Sequence, residues 1–280
     1  MTKAIDLFIN PNFATEQAGN ELTAEVNSSY FKRGDDFFKD CTIEGLLCEM
    51  DSAGVEHGVL TINPESPPER ILEFSRKHPD RFSLCPFVDV NRMLDAVWAV
   101  EDLVRDENVS MVRVMPSFSE KPPTHPYYYP LYAKCVERDL PISIFTGIPG
   151  PILDAECQNP IYLDRVCRDF PALRIIMTHG ADPWWGVAIR LMIKYQNLYL
   201  MTSAWKPKYL PDELLDYMNT RGRDKIMWSS DHPVLDMTEC LGGVADIEDI
   251  LRPGVLENYL YQNAKRVVLG ERKPARETPS

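Results

Sequence analysis

Apolar residues along this chain fall into two alternating patterns. Short, nearly unbroken runs occupy 4–9, 55–62, 82–88, 110–115, 141–145, 173–178, 198–202 and 225–229. Such runs predict strands buried on both faces, the pattern of a parallel sheet. Between them, apolar positions return every three or four residues. That spacing predicts helices over 42–52, 67–77, 92–105, 128–137, 160–168, 184–194, 211–219 and 255–269. In the first of these, Leu46, Leu47 and Met50 share one face, and Pro67 and Pro68 suit the first turn of the second. Residues 11–40 show few periodic apolar positions and read as a long loop. Eight β–α repeats without a linker predict a single-domain α/β fold, a (β/α)8 TIM barrel over 1–270. A doubly wound sheet is the runner-up, but it usually carries a Gly-rich first turn, and none is present. Residues 271–280 lack apolar anchors and read as a frayed, disordered tail.

Composition narrows the function classes. Lysine and arginine number 30 against 42 aspartates and glutamates, a net charge of −12. Phosphate backbones and anionic membranes repel such a chain, so no nucleic acid and no membrane partner is expected. No apolar run reaches the roughly 18–20 residues of a membrane span. The opening residues have no apolar signal-peptide core, so a cytoplasmic location is expected. The seven cysteines are odd in number and include no CxxC pair, which fits reduced thiols. None has a histidine beside it in sequence to activate it as a nucleophile. A homodimer is compatible with this fold class, although no segment specifies an interface.

In a barrel of this kind the chemistry sits at the C-terminal ends of the strands. Those ends carry Phe8 and Asn10, Arg113, Phe145, His179, Ser203, and Asp231 with His232. Arg113 lies inside an apolar run, where a cation needs a partner: a substrate carboxylate or carbonyl, or an internal acid. His57, early in its strand, and His78, at a helix end, read as structural, and His125 as a loop residue.

Six short motifs then give a resemblance. They are Ile5-Asp6, Met50-Asp51-Ser52-Ala53-Gly54-Val55, His78-Pro79-Asp80-Arg81-Phe82, Tyr128-Tyr129-Pro130-Leu131-Tyr132, Thr178-His179-Gly180 and Ser230-Asp231-His232-Pro233. In this order, the sequence resembles the amidohydrolase-related family, in the branch of aminocarboxymuconate-semialdehyde decarboxylase and related decarboxylases and hydratases. The resemblance implies a metal held by a His-x-His pair after strand one, a histidine after strand five and the strand-eight aspartate. Here the matching positions are Phe8, Asn10 and Phe145, while Asp231 is retained. The family's strand-six histidine, an acid/base in its decarboxylases, is retained as His179. A zinc site needs about three or four N, S or O donors. With these donors gone, no metal and no other cofactor is expected.

The remaining pair, His179 and Asp231, suits proton transfer and is expected to be catalytic. Arg113, Phe8, Asn10, Phe145, Trp184 and His232 are the expected contacts of a small-molecule substrate. Phe8 and Phe145 would make one side of it apolar, and Trp185 and Trp205 would extend the wall unless they serve helix packing. The favoured function is metal-independent hydrolysis of a lactone, ester or similar acyl bond of an aromatic or apolar acid. Asp231 would be the base for water, and His179 the proton donor or orienter. Non-oxidative decarboxylation of an aromatic or unsaturated acid is the alternative. A silent ligand-binding barrel, in which His179 and Asp231 merely satisfy each other, is the third.

Overall fold

The computed structural model describes residues 3–270, apart from the side chains of residues 35 and 36. The expected tail, 271–280, lies outside the described residues. Strand β1 (Ala4–Ile9) leads to helix α1 (Ile43–Ala53), β2 (Val55–Ile62) to α2 (Glu69–Lys77), and β3 (Phe82–Val88) to α3 (Leu94–Asp106). Strand β4 (Val112–Val114) precedes α4 (Tyr129–Glu137), and β5 (Ile142–Phe145) precedes α5 (Leu163–Asp169). Strand β6 (Ile175–Thr178) precedes α6 (Trp185–Lys194), and β7 (Leu198–Met201) precedes α7 (Asp212–Met218). Strand β8 (Ile226–Met227) is followed by α8 (Asn263–Val267), which is entered through a π turn at Asn258–Gln262.

The eight strands form one parallel sheet in sequential order, with the helices around it, as a (β/α)8 barrel requires. Local sequence sets the boundaries. Thr42 Oγ1 accepts a hydrogen bond from Gly45 N at 3.0 Å and starts α1, and Gly54 ends it at φ +77°. Apolar side chains from all eight strands or their ends fill the interior, among them Leu7, Val59, Cys85, Met111, Phe145, Ile176, Met201 and Met227. All seven cysteines are free, and only Cys48 is exposed. No helix among the described residues is long and apolar enough to cross a membrane.

Two departures from the sequence pattern bear on function. The first concerns 11–40, which is not a structureless loop. It folds into short helices at Phe13–Glu16 and Glu21–Val26, a π turn at Asn27–Phe31 and a 3-10 turn at Gly34–Phe37. Its own small core replaces the missing periodicity: the Phe37 ring meets those of Phe13, Phe31 and Phe38 at 5.3, 5.5 and 5.2 Å. A bridge between Asn12 and Asp40 closes its base. From there it runs across the barrel mouth. Arg33 Nη1 donates to Val234 O at 2.7 Å after β8, and Val26 lies against Gly150 in the loop after β5.

The second departure is the seam between β8 and β1. The runs around β4 and β8 are longer than their ladders, and beyond β8 the chain turns to a side chain instead. Asp6, fully buried in β1, accepts from Ser229 Oγ at 2.6 Å, Ser230 N at 3.1 Å and Phe8 N at 3.1 Å, and also from Ser230 Oγ. One parallel bridge, Ile9 with His232, completes the contact. A carboxylate with four donors thus holds the barrel closed. Its burial nevertheless raises its pKa, because the four bonds do not offset the lost hydration.

Candidate active site

His179 follows β6 with φ +66°, and Asp231 follows β8 with φ +71°. Left-handed backbone at a non-glycine residue costs on the order of 1–3 kcal/mol and persists only where its surroundings enforce it. Around His179 the enforcement comes from the end of β7. Its backbone N donates to Ser203 Oγ at 3.2 Å, and its own carbonyl accepts from Trp205 Nε1 at 2.9 Å. Its Nδ1 lies 3.1 Å from Ser203 O and 2.9 Å from Ser203 Oγ. A carbonyl oxygen can only accept, so Nδ1 carries the proton and Nε2 keeps its lone pair.

The imidazole is flanked by the two rings noted in the sequence. Phe8 lies 5.1 Å from it, tilted, and Phe145 meets it edge-on at 4.5 Å, while the two phenyl rings are 5.8 Å apart. His179 as a residue is half-buried rather than sealed. This apolar setting, with the Arg113 charge behind it, pushes its pKa down to about 3, chiefly through lost hydration. Its hydrogen bond to the Ser203 carbonyl opposes that shift. His179 is therefore neutral near pH 7.

Asp231 is 7 % exposed and accepts one hydrogen bond, from Asn10 Nδ2 at 3.3 Å. Burial holds its pKa well above the ordinary carboxylate value, and the nearby Asp6 adds to this. Arg113 and Asn10 act the other way. No hydrogen bond or ion pair among the described residues joins His179 to Asp231. The picture of two residues merely satisfying each other does not describe this site: each is held by a different neighbour.

Of the expected substrate contacts, Phe8, Asn10 and Phe145 stand beside the pair. The other three are engaged by neighbours of their own. Arg113 is fully buried, with its guanidinium carbon 3.4 Å from the Phe8 ring centroid. It donates to Leu7 O at 2.8 Å, Thr61 Oγ1 at 2.7 Å and Ser143 Oγ at 3.3 Å. Its direct partners are thus neutral acceptors and a π face, and the Asp231 and Asp6 carboxyls act on its charge without an ion pair to it among the described residues. His232 is 3 % exposed, and its ring is turned outward. Its Nε2 lies 3.4 Å from Cys41 Sγ and 3.3 Å from Glu49 Oε2 on α1. Trp184 stands at the start of α6, and among the described residues no ring contact or hydrogen bond joins it to the pair. Its neighbour Trp185 does the packing: a Cβ on Gly180 would fall 2.2 Å from its ring, and it meets Trp205 at 5.4 Å. Two residues that hold the site were not singled out in the sequence. Ser203 had the same strand-end signal as its neighbours, and Asp6 the same signal as Arg113, a charge inside an apolar run.

The family resemblance implies a metal ion at this end of the barrel, and the residues present do not fit one. Phe8 and Phe145 offer carbon, and His179 Nδ1 is bonded to Ser203. A guanidinium already lies behind Phe8. Among the described residues no group of three or more His, Cys, Asp or Glu side chains is placed to hold a metal ion.

Comparison with known proteins agrees with this architecture. A model of the amidohydrolase family matches residues 24–269. Among solved structures, the chain is similar to an uncharacterized TIM-barrel protein from Bordetella bronchiseptica, with a TM-score of 0.75, 22% identity and coverage of 95% of this chain and 98% of that one. It is also similar to a 5-carboxyvanillate decarboxylase from Novosphingobium aromaticivorans complexed with manganese, with a TM-score of 0.68, 12% identity and 95% of each chain covered. A 4-oxalomesaconate hydratase from Rhodopseudomonas palustris follows at a TM-score of 0.66, 16% identity and 95% of each chain. At these identities the likeness concerns the fold. No curated protein matches the sequence.

Proposed function

Because this chain belongs to the amidohydrolase family, we propose that it is a metal-independent hydrolase opening a lactone, ester or similar acyl bond of an aromatic or apolar acid. One observation carries the choice of a neutral acyl bond. The buried cation beside the pair, Arg113, is sealed behind Phe8 and bonded to neutral acceptors. A substrate carboxylate placed at Asp231 would meet another carboxyl group and two phenyl rings, while the donors of the nearby cation, Arg113, are taken up by Leu7, Thr61 and Ser143. A lactone or ester carbonyl carries no such penalty.

The roles follow from the protonation states. Burial raises the pKa of Asp231 and makes its carboxylate a stronger base. It takes a proton from water as the water oxygen attacks the acyl carbon. The same proton then passes to the leaving oxygen as the acyl C–O bond breaks. His179 Nε2, free to accept, hydrogen-bonds the attacking water and orients it. Of the two roles expected for His179, orienter is supported, because the tautomer leaves Nε2 without a proton to donate.

The decarboxylase among the similar structures favours a second reading, in which His179 delivers a proton to a ring carbon. The neutral, Nδ1-protonated imidazole counts against it. The test combines metal content with product analysis. The purified protein is dialysed against zinc or manganese and its metal measured. It is then assayed without added ions on aryl lactones, such as dihydrocoumarin, and on hydroxybenzoates. Ring opening at substoichiometric metal is the expected result. A tightly held equivalent of metal, or carbon dioxide release from the benzoates, would replace this reading with metal-dependent decarboxylation.

A further inference from the structure

A cavity of about 520 Å³ opens beside the pair, between the ends of β2, β3 and β4, and neither His179 nor Asp231 lines it. Its apolar wall includes Phe87, Met115 and Phe118. The Phe87 ring also stacks on Phe145 at 6.0 Å, and Phe145 meets His179 at 4.5 Å. Two ring contacts therefore separate this lobe from the imidazole. The volume is ample for a substituted aromatic ring.

The rim decides which rings fit. It carries the carboxylates of Glu65 and Asp89, together with Glu16, whose pKa burial pushes up to about 7, against one cation, Arg92. That cation is already engaged, with Glu65 at 3.3 Å and Asp95 at 3.7 Å. The Asp89 side chain accepts from the backbone N of Asn91 at 2.9 Å, and among the described residues it has no ion pair. The lobe thus offers aromatic faces beneath a net negative edge. Such a surface attracts ammonium groups and tolerates hydroxyls, and it repels carboxylates.

We propose that this cavity is a binding lobe for an uncharged or cationic aromatic group, with aromatic carboxylates excluded by its rim. The proposal rests on the hydrolase reading for its connection to catalysis: the lobe would hold the aryl part while the acyl bond lies at Asp231. Binding itself is independent of that reading.

The test uses the full chain and three probes of similar size, benzylamine, benzyl alcohol and benzoate, followed by NMR titration. The amine and alcohol are expected to bind about tenfold more tightly than benzoate. Phe118→Ala, at a ring already 53% exposed, should weaken all three. The double variant Glu65→Gln/Asp89→Asn should abolish the discrimination while leaving the thermal midpoint near its original value. Preference for benzoate, binding of no probe, or discrimination unchanged in the double variant would each overturn the proposal. None of the probes contains a cleavable acyl bond. Failure of the hydrolase reading would appear in the lactone assay alone, and failure of the lobe in these titrations alone.

Discussion

Acidification tests the environment of His179 directly. The imidazole titrates near 6.5 in an unfolded chain and at about 3 in the folded one. The folded state therefore prefers the neutral ring. Its contribution to stability is complete above about pH 6.5 and is lost as the pH falls from there towards 3. Each pH unit inside that window is worth about 1.4 kcal/mol. At about pH 5 the loss is about 2 kcal/mol, a ceiling because the residue is only half-buried and solvent screens part of it. Other groups titrate in the same range. Asp6 and Asp231, with raised pKa values, contribute stability at low pH that is lost as the pH rises through their folded values, the opposite sign. His57 and His232, also lowered by burial, act in the same direction as His179. A difference measurement isolates the one ring. Urea unfolding of the wild type and His179→Asn is compared at about pH 5 and about pH 7.5, asparagine being well tolerated where φ is positive. The wild type should lose about 2 kcal/mol more than the variant on acidification. Equal losses, or an NMR titration of the His179 imidazole with a midpoint near 6.5, would refute the argument that the two phenyl rings keep it neutral.

Three further outcomes are expected. Asp6→Ala leaves four donors at the seam without their acceptor and should cost about 2–4 kcal/mol in urea unfolding; a change under about 0.5 kcal/mol would mean that Asp6 is not what holds the seam. Ser203→Ala removes the hydroxyl beside Nδ1 and the acceptor of the His179 amide. It should lower kcat/KM about tenfold and alter the nitrogen chemical shifts of the imidazole, which a purely structural serine would not do. Phe8→Ala should cost about 3–4 kcal/mol and uncover Arg113, so that sulfate binds the variant and not the wild type by calorimetry.

The fold was legible because its strands are buried on both faces. The ranges 55–62 and 82–88 coincide with β2 and β3, since nearly every position there, Glu56, His57 and Phe87 apart, is buried. The excursion over 11–40 was not legible. Its helices are short, and the Phe37 contacts that stabilise it join residues whose spacing has no helical period. At the site, strand-end position located His179, Asp231, Asn10 and the two phenylalanines. It could not give side-chain direction. His232 follows Asp231 immediately, yet its ring points to α1, because the left-handed turn at Asp231 redirects the chain in a way that strand periodicity does not give. Arg113 was found by its improbable charge in an apolar run. Only the three-dimensional arrangement shows that Phe8 covers it.

The seam between the first and last strands also has a consequence in time. Asn10 and Asp231, joined by a hydrogen bond, are 221 residues apart in the chain. The ribosome makes one near the beginning and the other near the end. Until β8 emerges and Ser229 and Ser230 reach Asp6, the seam bonds that close the barrel cannot form, and the proposed catalytic carboxyl of Asp231 lacks its Asn10 partner. If the proposed site is the seat of the chemistry, activity would report on completeness: a truncated chain that keeps most of its ladders would still lack this junction.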